Sequence, residues 1–164
     1  MHYPGMARDP VLTAIEWRFV AETRRAVLAT TDRKGRPRLV PICHVAREAD
    51  DRLERPVLYT PIDEKPKRST EPMELARVRD LMDNPEVVVL VDRWDEDWSR
   101  LGWLRVDGTA RIIQPDGGDR GEHALAVAAL RVKYRQYVAH RLEDRPIIRI
   151  EILRARAWGS LELP

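Results

Sequence analysis

The part of the sequence that most constrains the fold is a β-hairpin between residues 26 and 45. Residues 26–32 are rich in apolar and β-branched side chains, which favour a strand. The turn after them contains Gly35, which can adopt the positive φ that tight turns often need. Residues 37–45 then return as a second strand. Because two strands joined by a tight turn run antiparallel, the chain is predicted to begin an antiparallel sheet.

Pro41 interrupts the second strand of this hairpin. Proline has no N–H to donate to a neighbouring strand, so it is confined to sheet edges and bulges. We therefore expect this strand to lie at an edge of the sheet or to be bulged at Pro41. Such an opening is a place where a flat ligand could lie against the sheet.

Four further strands are predicted downstream of the hairpin. The run 87–91 is apolar at every position, which indicates a central strand buried on both faces. Gly108 predicts a bulge in the strand that contains it. The four strands cover residues 56–61, 86–92, 101–113 and 146–152, the last with a possible extension to Trp158.

Three helices are predicted from apolar spacing and from residues suited to their ends. The first, residues 10–25, follows an aspartate that suits a cap, and the second covers residues 73–82. The third covers residues 119–132 and opens with Asp119 and Glu122 at capping-box spacing. Helices interrupt the later strands without a regular βαβ rhythm. The pattern therefore favours a mainly β fold with flanking helices, in which six antiparallel strands close as a small barrel, over a doubly wound sheet.

Length and composition narrow the class of protein. The 164 residues suit one domain, 1–164, in which the short polar segment 1–9 is expected to be flexible. A net charge of +2 argues against a nucleic-acid-binding protein, which usually has a strong basic surplus. One cysteine, Cys43, excludes an internal disulfide framework and a cysteine zinc site. With no secretory signal and no apolar run long enough to span a bilayer, we expect a cytoplasmic protein without a membrane or nucleic-acid partner.

A cationic loop follows the third strand. Lys65, Lys67 and Arg68 lie within four residues, Ser69 and Thr70 come next, and a helix is predicted just beyond them. Cations, hydroxyls and the N–H groups of a helix start are the groups that bind phosphate. The alternative is an ordinary solvated loop.

The order of these pieces resembles a known family. The hairpin pattern from Ala26 to Pro41, followed by a strand, a lysine-rich loop and a helix ending in Asn-Pro-x-Val, is similar to the split β-barrel flavin and deazaflavin oxidoreductases related to pyridoxamine 5′-phosphate oxidase. Segments 63–68, 98–108 and 134–146 resemble the actinobacterial branch that uses coenzyme F420, a 5-deazaflavin.

This resemblance implies a homodimer with two equivalent cofactor sites at the subunit interface. The ring would pack beside the second strand, the third strand would line the passage to the phosphate, and the lysines would hold the phosphate. The region 98–105 and Trp158 would lie near or come from the other subunit. The implied cofactor-binding residues are Val40, Pro41, Ile42, Tyr59, Thr60, Pro61, Lys65, Lys67, Arg68, Ser69, Trp98 and Arg105.

The sequence shows no catalytic or metal-binding constellation of its own. Cys43 and His44 are adjacent on a predicted strand and would point to opposite faces, so they cannot pair. A deazaflavin carries out hydride transfer itself, and the protein needs only to bind, orient and shield it. We therefore predict an F420-dependent oxidoreductase that acts on a small organic substrate. The alternatives are an FMN-dependent enzyme of the same fold, a non-catalytic carrier of either cofactor and an oligonucleotide-binding barrel.

Overall fold

The computed structural model describes residues 10–62 and 71–163, and in this part of the chain seven strands form one antiparallel sheet beside three α-helices. The strands follow the order β2-β1-β5-β6-β7-β4-β3 across the sheet. Short 3₁₀ turns cover Pro72–Glu74, Trp98–Arg100, Arg135–Ala139 and Leu142–Asp144. The main elements are α1 (Ala14–Glu22), β1 (Ala26–Thr31), β2 (Pro37–Ile42), β3 (Val45–Arg47), β4 (Val57–Pro61), α2 (Ala76–Asp83), β5 (Glu86–Arg93), β6 (Gly102–Ile113), α3 (Arg120–Lys133) and β7 (Ile147–Gly159).

The predicted hairpin is confirmed, but its second strand is shorter than expected. β1 pairs with β2 in register from Ala26 opposite Ile42 to Thr31 opposite Pro37, and Gly35 in the turn has φ +76°. Pro41 is in the edge strand β2, as its missing N–H predicts.

The prediction of six strands is wrong, because residues 37–45 do not form one continuous strand. The strand is interrupted at Cys43 and His44, where the backbone N–H of His44 donates to the Tyr134 hydroxyl at 3.0 Å instead of to a neighbouring strand. β2 and β3 therefore lie at opposite ends of the strand order although two residues join them. The sheet must curl to bring these ends together. No ladder joins them in the described residues, so the predicted closed barrel is open here.

Two helices begin later than predicted, for local reasons. α1 begins at Ala14 because Thr13 and Glu16 form a capping box, in which the Thr13 N–H donates to the Glu16 carboxylate at 2.8 Å. The expected helix 73–82 is divided, since Leu75 has the extended backbone angles φ −63° and ψ 136° between the first 3₁₀ turn and α2. None of the described helices is long and apolar enough to cross a membrane.

Side chains on the inner side of the sheet form the main core. Leu28, Val89, Leu104 and Ile150 come from four strands, and Phe19 of α1 packs among them. A second apolar cluster lies on the other side of the sheet, where α3 and the turns after it cover β3, β4 and the adjoining ends of β6 and β7. α3 thus covers only one end of that side.

The predicted bulge lies at Gly108, but its extra residue is in the partner strand β7 and not in β6, which contains Gly108. The pairing of β6 with β7 shifts register between Asp107 and Gly108, which leaves Leu153 as the extra residue. A Cβ atom on Gly108 would lie 2.5 Å from the carbonyl oxygen of Glu151, so the close approach of the two backbones requires glycine.

Candidate cofactor site

On the side of the sheet facing away from the main core, residues 10–62 and 71–163 leave β2, β1, β5 and parts of β6 and β7 uncovered. Residues directly opposite each other in antiparallel strands share a face. Pro41 is opposite Val27, Val27 is opposite Leu90, Leu90 is opposite Arg105, and Arg105 is opposite Arg156. At the usual spacing between strands, Pro41 and Arg105 are about 14 Å apart along this row.

A second row lies beside the first on the same surface. It is formed by Leu39, Ala29, Val88, Asp107 and Arg154, in that order across the strands. We call the surface made by these two rows the outer face. The prediction that residues 87–91 are buried on both sides is therefore wrong for Val88, which is half-buried, and for Leu90, which is 36% exposed.

Apolar side chains and guanidinium groups are mixed on the outer face. Leu39 is 66% exposed, and Trp158, which is opposite Trp103 at the end of β7, is 55% exposed. Arg105 and Arg154 both approach the Asp107 carboxylate, at 3.6 and 3.3 Å. The surface therefore offers apolar area for a flat ring together with hydrogen-bond donors for its polar edge.

A groove of about 680 Å³ crosses the outer face next to the bulge. Its apolar wall comes from Ala29, Pro37 and Val88 of the three strands on one side and from Leu153 on the other. Gly108 also lines it. The register shift between β6 and β7 lies at this point, and Gly108 and Leu153 on its two strands both line the groove.

The three residues predicted to bind the ring on β2 divide between the two sides of the sheet. Pro41 is on the outer face, whereas Val40 and Ile42 are opposite the buried Leu28 and Ala26 and pack against the main core. The alternation of a strand makes this division unavoidable. Only Pro41 therefore presents its side chain to the same surface as Arg105.

Tyr59, Thr60 and Pro61 of β4 are all buried in the described chain. The Tyr59 hydroxyl donates to the Glu122 carboxylate at 2.5 Å, and the same carboxylate oxygen accepts from Arg149 Nε at 2.8 Å. Burial, followed by the bond to Glu122, raises the pKa of Tyr59 well above its usual value. Burial alone would raise the pKa of Glu122, but the hydrogen bonds from Tyr59 and Arg149 lower it overall. Tyr59 therefore stays protonated and ties β4 to α3.

The predicted phosphate-binding residues Lys65, Lys67, Arg68 and Ser69 lie outside the described residues. The position from which their loop leaves the sheet is described. The N–H of Ile62 donates to the Pro146 carbonyl at 3.2 Å, and Arg145 Nε donates to the Ile62 carbonyl at 2.7 Å. The loop therefore begins where β4 ends, beside the start of β7.

The family model described as pyridoxamine 5′-phosphate oxidase matches residues 17–159, which includes all seven strands and most of the chain. The chain belongs to the pyridoxamine 5′-phosphate oxidase family. The resemblance drawn from the hairpin and the segments after it is confirmed at the level of this family. No curated protein sequence matches the chain.

Several solved structures share the fold of this chain. A conserved hypothetical protein from Mycobacterium tuberculosis is 20% identical, with a TM-score of 0.63 over 95% of this chain and 90% of that one. The heme storage protein HutZ from Vibrio cholerae is 16% identical, with a TM-score of 0.60 over 87% and 89%. A FAD-binding protein from Mesorhizobium loti is 21% identical, with a TM-score of 0.58 over 89% and 92%. At these identities the likeness shows the split-barrel fold.

Trp98, the remaining residue predicted from the resemblance, lies outside the strands of the sheet. It is in the 3₁₀ turn between β5 and β6 and is 74% exposed. Of the ten outer-face residues, only Pro41 and Arg105 were predicted as site residues, and Leu90 and Arg156 are among the eight that were missed. The alternation of charged and aromatic residues at 154, 156 and 158 would have placed Arg156 and Trp158 on one face of a strand.

Proposed function

We propose that this chain is an oxidoreductase of the pyridoxamine 5′-phosphate oxidase family that binds coenzyme F420 against its outer face. The observation that carries the proposal is the uncovered row from Pro41 to Arg105, where apolar side chains end at a guanidinium group. The cationic loop begins at the end of β4 in the same sheet and supplies the charge that a phosphate requires.

The residues fit such a cofactor in separate roles. Leu90 and Val27 offer apolar contact to a ring, and Arg105 offers N–H donors to its polar edge. Lys65 and Lys67 would hold the phosphate, with Arg68 and Ser69 as further donors. The bound deazaflavin would supply hydride transfer, and the protein would orient it and exclude water.

We also propose that the outer face is completed by a second copy of the chain. Leu39, Leu90 and Trp158 would otherwise leave large apolar side chains in water on one surface. A homodimer would bury them and would place the Trp98 region of one copy within reach of the other.

Replacing Leu90 with lysine tests this dimer and should give a monomer in light scattering after gel filtration. The same change at Leu125, which is 57% exposed on α3, is the matched control and should leave the dimer intact.

Titration of the purified protein with F420 tests the cofactor assignment. Binding should change the fluorescence of the cofactor and should be saturable. Micromolar binding of FMN with no response to F420 would replace the proposal with its alternative, an FMN-dependent enzyme. Binding of F420 without any substrate that oxidises its reduced form would instead indicate a carrier.

Variants of the cationic loop test the position of the phosphate. Lys65→Ala or Lys67→Ala should weaken cofactor binding by about 1.5–3 kcal/mol, the range for a hydrogen bond to a charged group. Arg18→Ala removes an exposed cation from α1, where it pairs with Glu22, and should change nothing. Normal binding by both lysine variants would show that the phosphate lies elsewhere.

Heme is a different possibility, because HutZ is a heme storage protein. A histidine that binds heme iron needs a ring nitrogen free to reach the metal. His44 and His123 are 0% and 3% exposed, so a heme iron could reach neither ring, and their Nε2 atoms also lie 2.7 Å from the carbonyl oxygens of Val20 and Arg145. These two histidines therefore favour a structural role over heme ligation.

A further inference from the structure

A second groove lies between the β1–β2 turn and α2, on the other side of β2 from the outer face. It has a volume of about 470 Å³. Arg38 of β2 lines it, and so does Asp80 of α2, which accepts from the buried Thr30 hydroxyl. We call it the cationic groove. Five cationic and three acidic side chains line it, namely Arg33, Lys34, Arg36, Arg38 and Arg79 with Asp32, Asp80 and Asp83.

The acidic side chains hold three of the guanidinium groups in place. Asp83 accepts from Arg33 Nε at 2.6 Å and from Nη2 at 2.9 Å. Asp32 accepts from Arg36 Nε at 2.9 Å and also from the backbone N–H groups of Lys34 and Arg36. These bonds, led by that of the Arg36 side chain, lower the pKa of Asp32 to about 2. Pairing with Arg33 likewise lowers the pKa of Asp83, so these two carboxylates are ionised near neutral pH and orient Arg33 and Arg36 before any ligand arrives.

The innermost pair of the groove is anchored in the core. Asp80 is only 6% exposed and accepts from the Thr30 hydroxyl at 2.9 Å and from Arg38 Nε at 2.8 Å. A guanidinium has five N–H donors in a fixed fork, and this contact uses one of them. Arg38 therefore retains donors for a ligand while its position is set by a buried carboxylate.

Two cations in the groove are not neutralised by the acidic groups. Within residues 10–62 and 71–163, neither Lys34 nor Arg79 forms an ion pair. They come from different elements, the β1–β2 turn and α2, so they approach the groove from two sides. The groove consequently has a net positive charge, which its concave shape concentrates.

From these contacts we infer that the cationic groove binds an oligophosphate. Several guanidinium groups fixed at separate positions match a chain of phosphates, because each can donate to the oxygens of a different phosphate. Lys34 and Arg79 supply the charge that the carboxylates do not cancel. Met82, which is exposed in the same groove, offers an apolar contact to an organic group attached to the phosphates. The ligand is therefore either an inorganic oligophosphate or a nucleoside polyphosphate.

Calorimetric titration of the whole protein with tripolyphosphate at low ionic strength tests this inference. The wild type should bind one equivalent per chain, and the double variant Lys34→Ala, Arg79→Ala should lose at least about tenfold in affinity, as expected for two lost charged contacts. Arg18→Ala is the control for a general loss of positive charge. Equal affinity of the double variant and the wild type would overturn the inference.

The cationic loop needs a separate control, because it also contains lysines. The variant Lys65→Ala, Lys67→Ala should keep its affinity for tripolyphosphate if the ligand occupies the cationic groove. A loss confined to that variant would assign the anion to the loop and overturn the inference. This result is independent of F420 binding, so the two proposals fail separately. ATP in place of tripolyphosphate distinguishes the two sources, since a higher affinity for ATP would show that the organic group is bound as well.

Discussion

The buried side chain of His44 predicts a pH dependence of stability. His44 has no solvent exposure, its Nε2 atom lies 2.7 Å from the Val20 carbonyl oxygen, and its Nδ1 atom has no partner. Burial, with a smaller contribution from the charge of Lys133, lowers its pKa from 6.5 to about 4. The folded protein therefore keeps this imidazole neutral at a pH where the unfolded chain protonates it.

The size and sign of the effect follow from linkage. Between pH 6.5 and 4 the unfolded state binds more protons at His44 than the folded state, so stability falls as the pH falls. Each pKa unit corresponds to about 1.4 kcal/mol, which gives a total loss of about 3 kcal/mol by pH 4. Lowering the pH from 7 to 5 should account for about 2 kcal/mol of this loss in the free energy of unfolding.

Urea unfolding of the wild type and His44→Gln at pH 7, 6 and 5 measures this contribution. The variant should lose about 2 kcal/mol less than the wild type between pH 7 and 5, whatever its stability at pH 7. Leu125→Gln, at an exposed position that carries no titratable group, should retain the wild-type dependence. Carboxylates are the same in all three proteins, so their effect cancels, and a fixed protein concentration keeps any dimer equilibrium constant. An unchanged slope in His44→Gln would refute the reasoning.

Three other substitutions test contacts that hold the fold. Gly108→Ala should lower the free energy of unfolding by about 1–3 kcal/mol in urea, because its Cβ would lie 2.5 Å from the Glu151 carbonyl oxygen, and no loss would mean that the bulge adjusts freely. Tyr59→Phe removes the hydroxyl that donates to Glu122 and should cost about 1.5–3 kcal/mol in the same assay; a neutral result would show that this bond is not made. Lys133→Met removes two 2.8 Å hydrogen bonds to carbonyl oxygens at the end of α1. Amide hydrogen exchange should therefore become faster in α1 alone, and an equal change throughout the protein would contradict this.

Local features of the fold were predictable because their causes are local. Gly35 permits the turn, Pro41 cannot donate within a ladder, and Gly108 allows two backbones to approach closely. Each of these properties belongs to a single residue and acts on its immediate neighbours. The helix start at Thr13 was equally local, since Glu16 completes its capping box, but the more obvious proline upstream obscured it.

Other features depended on residues far away in the sequence. The break after β2 depends on His44, which contacts Val20 and the Tyr134 hydroxyl, and the second of these is 90 positions away. Tyr59 was predicted to line a cofactor passage, yet its hydroxyl is held by Glu122 of α3, 63 positions away. No pattern around either residue indicates these partners.

The candidate site shows the same division. Pro41 and Arg105 were chosen through a family resemblance, and strand pairing places both on the outer face. Val40 and Ile42 were chosen with Pro41, but the alternation of the strand turns their side chains to the core. The groove beside Gly108 could not be predicted, because it requires the register of β6 against β7.

By itself the sequence determined the hairpin, the edge strand, the bulge and the family, because these follow from residue types and their order along the chain. Only the tertiary structure decided which apolar side chains stay uncovered, since a run such as residues 87–91 has the same pattern whether one side or both are packed. It also decided which cations remain unpaired, because charges separated by tens of residues neutralise each other only when the fold brings them within a few ångströms.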